Sequence, residues 1–339
     1  DAMSTRERFH AVMNFQPFDR LPIVEWAGWW NQTIDRWHAE GLPEDLTDRY
    51  AICRHFGLDV WKQDWFRPRG PDCPQPPHHG AGVLGVAGDY EALRPHLFPW
   101  PAVDTAAWEA KAEEQRRGDA VLWFTVEGFF WFPRTLFGIE RHLYAFYDEP
   151  ELMHRMNQDL TDHILRVLDE LLPICTPDFM TFAEDMSYNH GPMLSEDLFT
   201  TFMKPYYDQV IPRLREAGVI PIVDSDGDIG PAADWFEAAG VEGILPLERQ
   251  AGVDIAALRA AHPRMRFIGH FDKLVMHRGE AALRGEFERV LPTAVQGGFI
   301  PSCDHQTPPG VSLADYRLYV ELFREYAAQA GRMTRGSAA

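Results

Sequence analysis

The chain has 339 residues, 45% of them hydrophobic, and a formal charge of −19 from 51 acidic against 32 basic side chains. That length buries a large core, as one α/β barrel or two smaller domains, while the charge opposes phosphate backbones and anionic lipid. No apolar run is long enough to span a bilayer and "DAMSTRERFH" lacks the apolar stretch of a signal peptide, so neither nucleic acid nor membrane is an expected partner and a cytoplasmic location is expected.

In chain order, a helical extension precedes a first expected strand, "RLPIVEWAG" (20–28), and a second follows in "LDVWKQDWF" (58–66). The Pro/Gly-rich stretch from about 66 to 105 is too irregular for helix and reads as a small hairpin with loops, inserted over one mouth of the domain. From residue 118 apolar runs alternate with helical period: "AVLWFTVEG" (120–128), "DFMTFAEDM" (178–186), "VIPIVDSDG" (219–227), "VEGILPLE" (241–248), "MRFIGHFDK" (265–273) and "GFIPSCDH" (298–305). Between them lie segments such as 197–218, with apolar residues three and four apart and a glycine stop. Strand then helix, repeated, means parallel strands, and about eight of them close a (β/α)8 barrel. An open doubly wound sheet is the alternative, disfavoured by the lack of a GxGxxG turn after the first strand. One barrel over 3–330 and a flexible tail over 331–339 are expected.

The carboxyl rim of such a barrel carries the chemistry, and nearly every expected strand ends in an ionisable group. Glu25, Glu127, Glu184-Asp185, Asp224 with Asp226, Glu248, His270 with Asp272, and Cys303-Asp304-His305 occupy those ends. A lone Asp after a strand is usually a cap or turn former, and Asp228 and Asp197 read that way. The ensemble is different, because like charges converging on one rim need a positive partner or raised pKa values. Arg134 and Arg249 are candidate partners, and so are a cationic substrate and a metal. Asp224 and Asp226 are two apart in an extended segment and face the same way. Cys303 or His305 could add a ligand across the rim, as zinc accepts; oxygen ligands alone would suit Mg²⁺ or Mn²⁺. An acidic, hydrogen-bonded pocket without metal is the other reading. The four cysteines, Cys53, Cys73, Cys175 and Cys303, form no CxxC pair, so neither a disulfide framework nor a zinc ribbon is suggested. Trp26, Trp29, Trp30 and Trp37 follow the first strand, and Phe129 to Phe132 follow Glu127. Most of these rings belong in the core, but those in βα loops suit an apolar wall for a small ligand.

The segments "STRERFHAVMNFQPFDRLPIVEW", "GPMLSEDLFTTFMKPYY", "DSDGDI", "GILPLE", "IGHFDK" and "GGFIPSCDHQTPPGVSLADYRLYVELFREY" together resemble the uroporphyrinogen decarboxylase superfamily. The resemblance implies a (β/α)8 barrel with its cleft at the carboxyl rim. One branch decarboxylates uroporphyrinogen without cofactor, using an arginine-rich segment after the first strand; here that segment is "EWAGWWNQTIDRW", with only Arg36 left. The other branch holds zinc with a His-x-Cys pair and a later Cys and passes methyl groups to a corrinoid carried by a partner protein. Asp224-Ser225-Asp226 stands at the pair and Cys303 matches the later Cys, a departure from thiolate–zinc chemistry.

The expectation is therefore a metal-dependent methyltransferase or demethylase acting on a small methylated substrate. Asp224, Asp226 and Cys303 would hold zinc or another metal, and Glu184, Asp185 and His305 would bind or protonate substrate. Trp29, Trp30, Glu127, Phe130, Glu248 and His270 would line its site. A corrinoid protein and a second copy of the chain are the candidate macromolecular partners. A metal-free decarboxylase or lyase and a binding protein that has lost its chemistry are the alternatives.

Overall fold

The computed structural model describes residues 1–338; Ala339, the last residue of the expected tail, lies outside them. Seven strands form one all-parallel sheet: β1 (Trp61–Trp65), β2 (Val121–Glu127), β3 (Phe179–Ala183), β4 (Ile220–Asp224), β5 (Gly243–Leu245), β6 (Arg266–Phe271) and β7 (Phe299–Cys303), each paired with the next in chain order. β2 is buried along its whole length, as expected of a strand covered on both faces. Each strand falls inside the segment in which the apolar pattern places it.

The first expected strand is corrected. Residues 21–26 are buried but belong to no ladder, and the chain bends at Trp26. Ile23 O accepts from the Asp59 N–H at 2.8 Å on the β1 side, and Val24 O accepts from Ser302 Oγ at 2.8 Å on the β7 side. The segment thus fills the eighth position of a TIM-type barrel by isolated bonds, and Pro22, which lacks an N–H, helps to explain why no ladder forms.

The helix Thr5–Met13 begins in a capping box of Ser4 and Glu7. It lays Phe9 against Trp61 and Phe179, the first residues of β1 and β3. Arg6 and His10 bond to Asp178 at 2.8 and 2.7 Å. The amino-terminal end of the barrel is therefore plugged, which leaves the carboxyl rim for a ligand.

Three further expectations change. The segment 197–218 is two helices, Glu196–Phe202 and Lys204–Ala217, divided at Met203, with Pro205, which has no N–H to give, in the first turn of the second; Ser195, not Asp197, caps the first, and Gly218 (φ 85°) stops the second. The insertion has no hairpin. It contains the one-turn helices Leu84–Ala87 and Tyr90–Leu93 and isolated bridges from Arg69 to Leu97 and from Ala81 to Gly138, and Tyr90 Oη donates to Asp159 Oδ2 at 2.7 Å. The tail is not loose either: the last helix runs from Leu313 to Ser337, Gly331 meets the Asp19 carbonyl where a Cβ could not fit, and Arg335 Nη1 donates to Phe18 O at 3.1 Å. Among the described residues no helix is long and apolar enough to cross a membrane.

Candidate active site

β3 and β4 run in register, with Ala183 opposite Asp224. Beyond Ala183 the chain sends two successive carboxylates in different directions. Glu184 is fully buried and accepts the N–H groups of Phe129, Phe130 and Trp131 at 3.1, 2.9 and 3.3 Å, together with the Tyr207 hydroxyl. Asp185 takes a left-handed conformation (φ 42°) and turns to the open rim. There its carboxyl oxygens, with those of Asp224 and Asp226, approach to within 4.8 Å of one another.

Burial drives the Asp224 carboxyl well above the ordinary carboxylate range, and the charges of Asp185 and Glu248 push the same way. Asp226 is raised by burial first, then by Asp185, Asp224 and Glu248. Asp185 is raised by burial although the Asp226 N–H and Arg134 act against it. Arg134 is itself half-buried, and burial lowers its pKa more than Asp185 restores it. The three acids thus form an under-compensated negative site, which a bound cation or retained protons would relieve.

This cluster floors a cavity of about 350 Å³, at the small end for ligand pockets. His305 adds its ring to the floor; burial lowers its pKa, with Lys273 acting the same way, while Glu248 and Asp185 oppose. The walls are Trp26, Trp65 and Trp131. Trp26 is fixed by its Nε1, which donates to Cys303 O at 2.8 Å. On the far side Arg69 Nη1 donates to Glu127 Oε2 at 2.9 Å and to Thr135 Oγ1 at 3.0 Å, and the Arg67 guanidinium lies over the Trp65 ring at 4.3 Å. A second cavity of about 470 Å³ shares Arg69, Trp131 and Thr135 with the first and is lined by insertion residues 74–83.

Asp185, Asp224, Asp226, His305 and Glu127 are therefore brought to one cavity, with Glu248 against Asp226. The other expected residues stand elsewhere. Cys303 is fully buried, and burial, then the charges of Glu25 and Asp304, drive its thiol pKa well up; it stands outside the cluster, whose third carboxyl beside Asp224 and Asp226 comes from Asp185. Of the 303–305 run only His305 lines the cavity, since Asp304 accepts the Arg249 and Lys273 N–H groups at 3.0 and 3.3 Å. Glu184 is an internal anchor. His270 is a neutral, buried ring whose Nδ1 contacts Leu247 O at 2.6 Å and whose Nε2 contacts Arg289 at 2.9 Å, its pKa pushed down to about 4, mainly by burial. Trp29 packs against Trp37, Phe56 and Tyr316 and Phe130 against His142, while Trp30 lies exposed at the start of the helix Asn31–Ala39. None of these five residues lines the cavity.

Arg67, Arg69, Trp65 and Thr135 escaped the sequence reading, whereas Trp131 belongs to the aromatic run 129–132 expected to supply an apolar wall. Trp65 and Arg67 could have been found by reading β1 to its end as the other strands were read, because side chains two apart share a face.

The match of this chain to the family model for "Uroporphyrinogen decarboxylase (URO-D)" covers residues 131–326. A curated uroporphyrinogen decarboxylase from Thermus thermophilus is 28% identical over 184 residues, 54% of this chain and 51% of that protein, so the chain matches about half the length of that relative. Among solved structures, a methyltransferase from Methanosarcina mazei superposes with a TM-score of 0.64 at 15% identity, over 96% of this chain and 99% of that one, which is a likeness of fold. With more than half of its residues under the family model, the chain belongs to the uroporphyrinogen decarboxylase family.

Proposed function

We propose that the protein is a methyltransferase or demethylase that takes a methyl group from a small methylated substrate in the 350 Å³ cavity and passes it to a corrinoid carried by a partner protein. The observation that carries this reading is the Asp185–Asp224–Asp226 cluster. Its donors are all carboxylate oxygens, which fit a hard divalent cation such as Mg²⁺ or Mn²⁺ better than thiolate-bound zinc. A metal held there would serve as a Lewis acid toward the substrate atom that loses the methyl group.

The chain's own residues supply the rest. Trp26, Trp65 and Trp131 present ring faces to the apolar part of the substrate. The leaving heteroatom keeps its bonding electron pair, and where it takes a proton His305, on the cavity floor, is the group placed to supply it. Trp131 lines both cavities, so the second, beside the insertion, is the route by which an acceptor would reach the substrate. The likeness to a methyltransferase fold supports this reading.

Uroporphyrinogen itself fits poorly. Arg36 is turned to Pro309 O and Glu40, at 2.8 and 3.0 Å, and is not in the cavity. A tetrapyrrole far exceeds the space, and the aspartates repel its carboxylate arms. A metal-free decarboxylase of a smaller acid is the second reading, favoured by the raised pKa of Asp224, since a carboxyl protonated near neutral pH could protonate a carbanion.

Reduced free cobalamin and a panel of methylated amines, ethers and thioethers test the proposal, with methylcobalamin formation followed by absorbance. Transfer from at least one donor, lost in Asp224→Asn, is expected. Carbon dioxide release from small acids without any methyl transfer would overturn it in favour of the decarboxylase.

A further inference from the structure

The sign of charge changes around the rim of the cavity. At the end of β4 and in the loop after β3 it is negative, through Asp224, Asp226 and Asp185. At the end of β2 it is balanced, because Glu127 is paired with Arg69. Two residues past β1 it is positive, through Arg67. From β1 to β4 is three strand positions, about 14 Å along the rim at roughly 4.8 Å per strand. The two ends of the cavity thus face each other with opposite charge.

Arg67 differs from its neighbour in what it is bonded to. Arg69 is committed to Glu127 and Thr135. Among the described hydrogen bonds and ion pairs none involves Arg67, and its single close partner is the face of Trp65, 4.3 Å from the guanidinium carbon. Lying over an indole face limits the motion of the guanidinium while leaving its N–H donors uncommitted at a position that lines the cavity. A fixed, unspent guanidinium edge is suited to a planar oxyanion taken up through two parallel hydrogen bonds.

On the basis that this cavity holds the methylated substrate, we infer that the substrate carries a carboxylate at the end remote from the aspartate cluster, received by Arg67 on its Trp65 platform. Its methylated heteroatom then lies toward Asp185, Asp224 and Asp226, and its flat apolar body lies between Trp26 and Trp131. One uncommitted arginine matches a single negative charge, and the aspartates keep a second one out.

Calorimetric titration with 4-(dimethylamino)benzoate, its neutral amide and its sulfonate analogue tests the inference. The wild type should bind the carboxylate at least about tenfold more tightly than the amide, as one charge-assisted pair implies. Arg67→Met should bring the carboxylate down to the affinity of the amide, and Arg67→Lys should recover part of the difference. Because Arg67 is exposed and unbonded, thermal melting of Arg67→Met should match the wild type. Equal affinities for carboxylate and amide, no measurable carboxylate binding, a preference for the sulfonate, or an Arg67→Met variant that still prefers the carboxylate would each overturn it. A parallel Mn²⁺ titration keeps the two readings apart. Failure to bind Mn²⁺ while the carboxylate is still preferred would count against the metal alone.

Discussion

Gly128 and Glu184 share one space: a Cβ on Gly128 would collide with the Glu184 carboxyl group. Only a glycine after β2 lets the carboxyl of the next strand's loop reach the N–H groups of Phe129, Phe130 and Trp131. Those bonds hold the start of the helix Trp131–Phe137, and with it Trp131, Arg134 and Thr135 at the two cavities. Gly128→Ala should cost about 1–3 kcal/mol by overpacking, and Glu184→Ala about 3 kcal/mol or more by stranding several buried donors. Urea denaturation of both variants checks this, and a loss below about 0.5 kcal/mol in either would contradict the anchoring role.

Stability should fall as pH rises through the neutral range. Glu184 is raised to about 7 and Glu25 to about 8, both chiefly by burial, and Asp224 is raised as well. Each binds its proton more tightly in the folded chain than in the unfolded one, so their contribution is fully present below the ordinary carboxylate range. It is lost as pH rises through the folded values. Unfolding free energies at pH 7 and pH 8.5 should differ in that direction in metal-free buffer, a window above the ordinary histidine pKa, where the buried His142, His163 and His270, lowered mainly by burial, add little opposing slope. Asp224→Asn, which removes one of these groups, should be more stable than wild type at pH 8, by about 1–4 kcal/mol as for other buried charges replaced by neutral groups, and should show a shallower slope.

Cys303 should be inert. Its thiol is fully buried, with burial and the nearby Glu25 and Asp304 driving its pKa well up. Alkylation at neutral pH should spare Cys303 until denaturant is added, and Cys303→Ser should leave Mn²⁺ uptake unchanged. Loss of metal binding in that variant would restore the thiolate ligand set expected from sequence.

The fold was legible because its signals are local and repeated. Apolar runs separated by helical period marked all seven laddered strands, and the strand-end rule brought Asp185, Asp224, Asp226 and His305 to the right rim. What could not be read was direction. Glu184 and Asp185 are adjacent at one strand end, yet one is an anchor and the other faces the cavity, a choice made by the left-handed turn at Asp185 and by three N–H groups more than fifty residues away in sequence. Cys303 and His305 share a similar ambiguity: the thiol is fully buried and the ring lines the cavity. The aromatic wall was misassigned for the same reason: Trp29 and Trp26 are three residues apart, but Tyr316 and Phe56 draw the first into the core. The segment 21–26 looked like a strand by composition and fills a strand's place without a strand's ladder.

The proposed chemistry needs the Asp185–Asp224–Asp226 cluster to be a cation site. Isothermal titration of the chelator-treated protein with Mn²⁺ measures it. One equivalent bound by the wild type with proton release, weakened at least about a hundredfold in Asp224→Asn and Asp226→Asn, is the predicted result. Binding that is absent in the wild type, or that survives both substitutions unchanged, would contradict it.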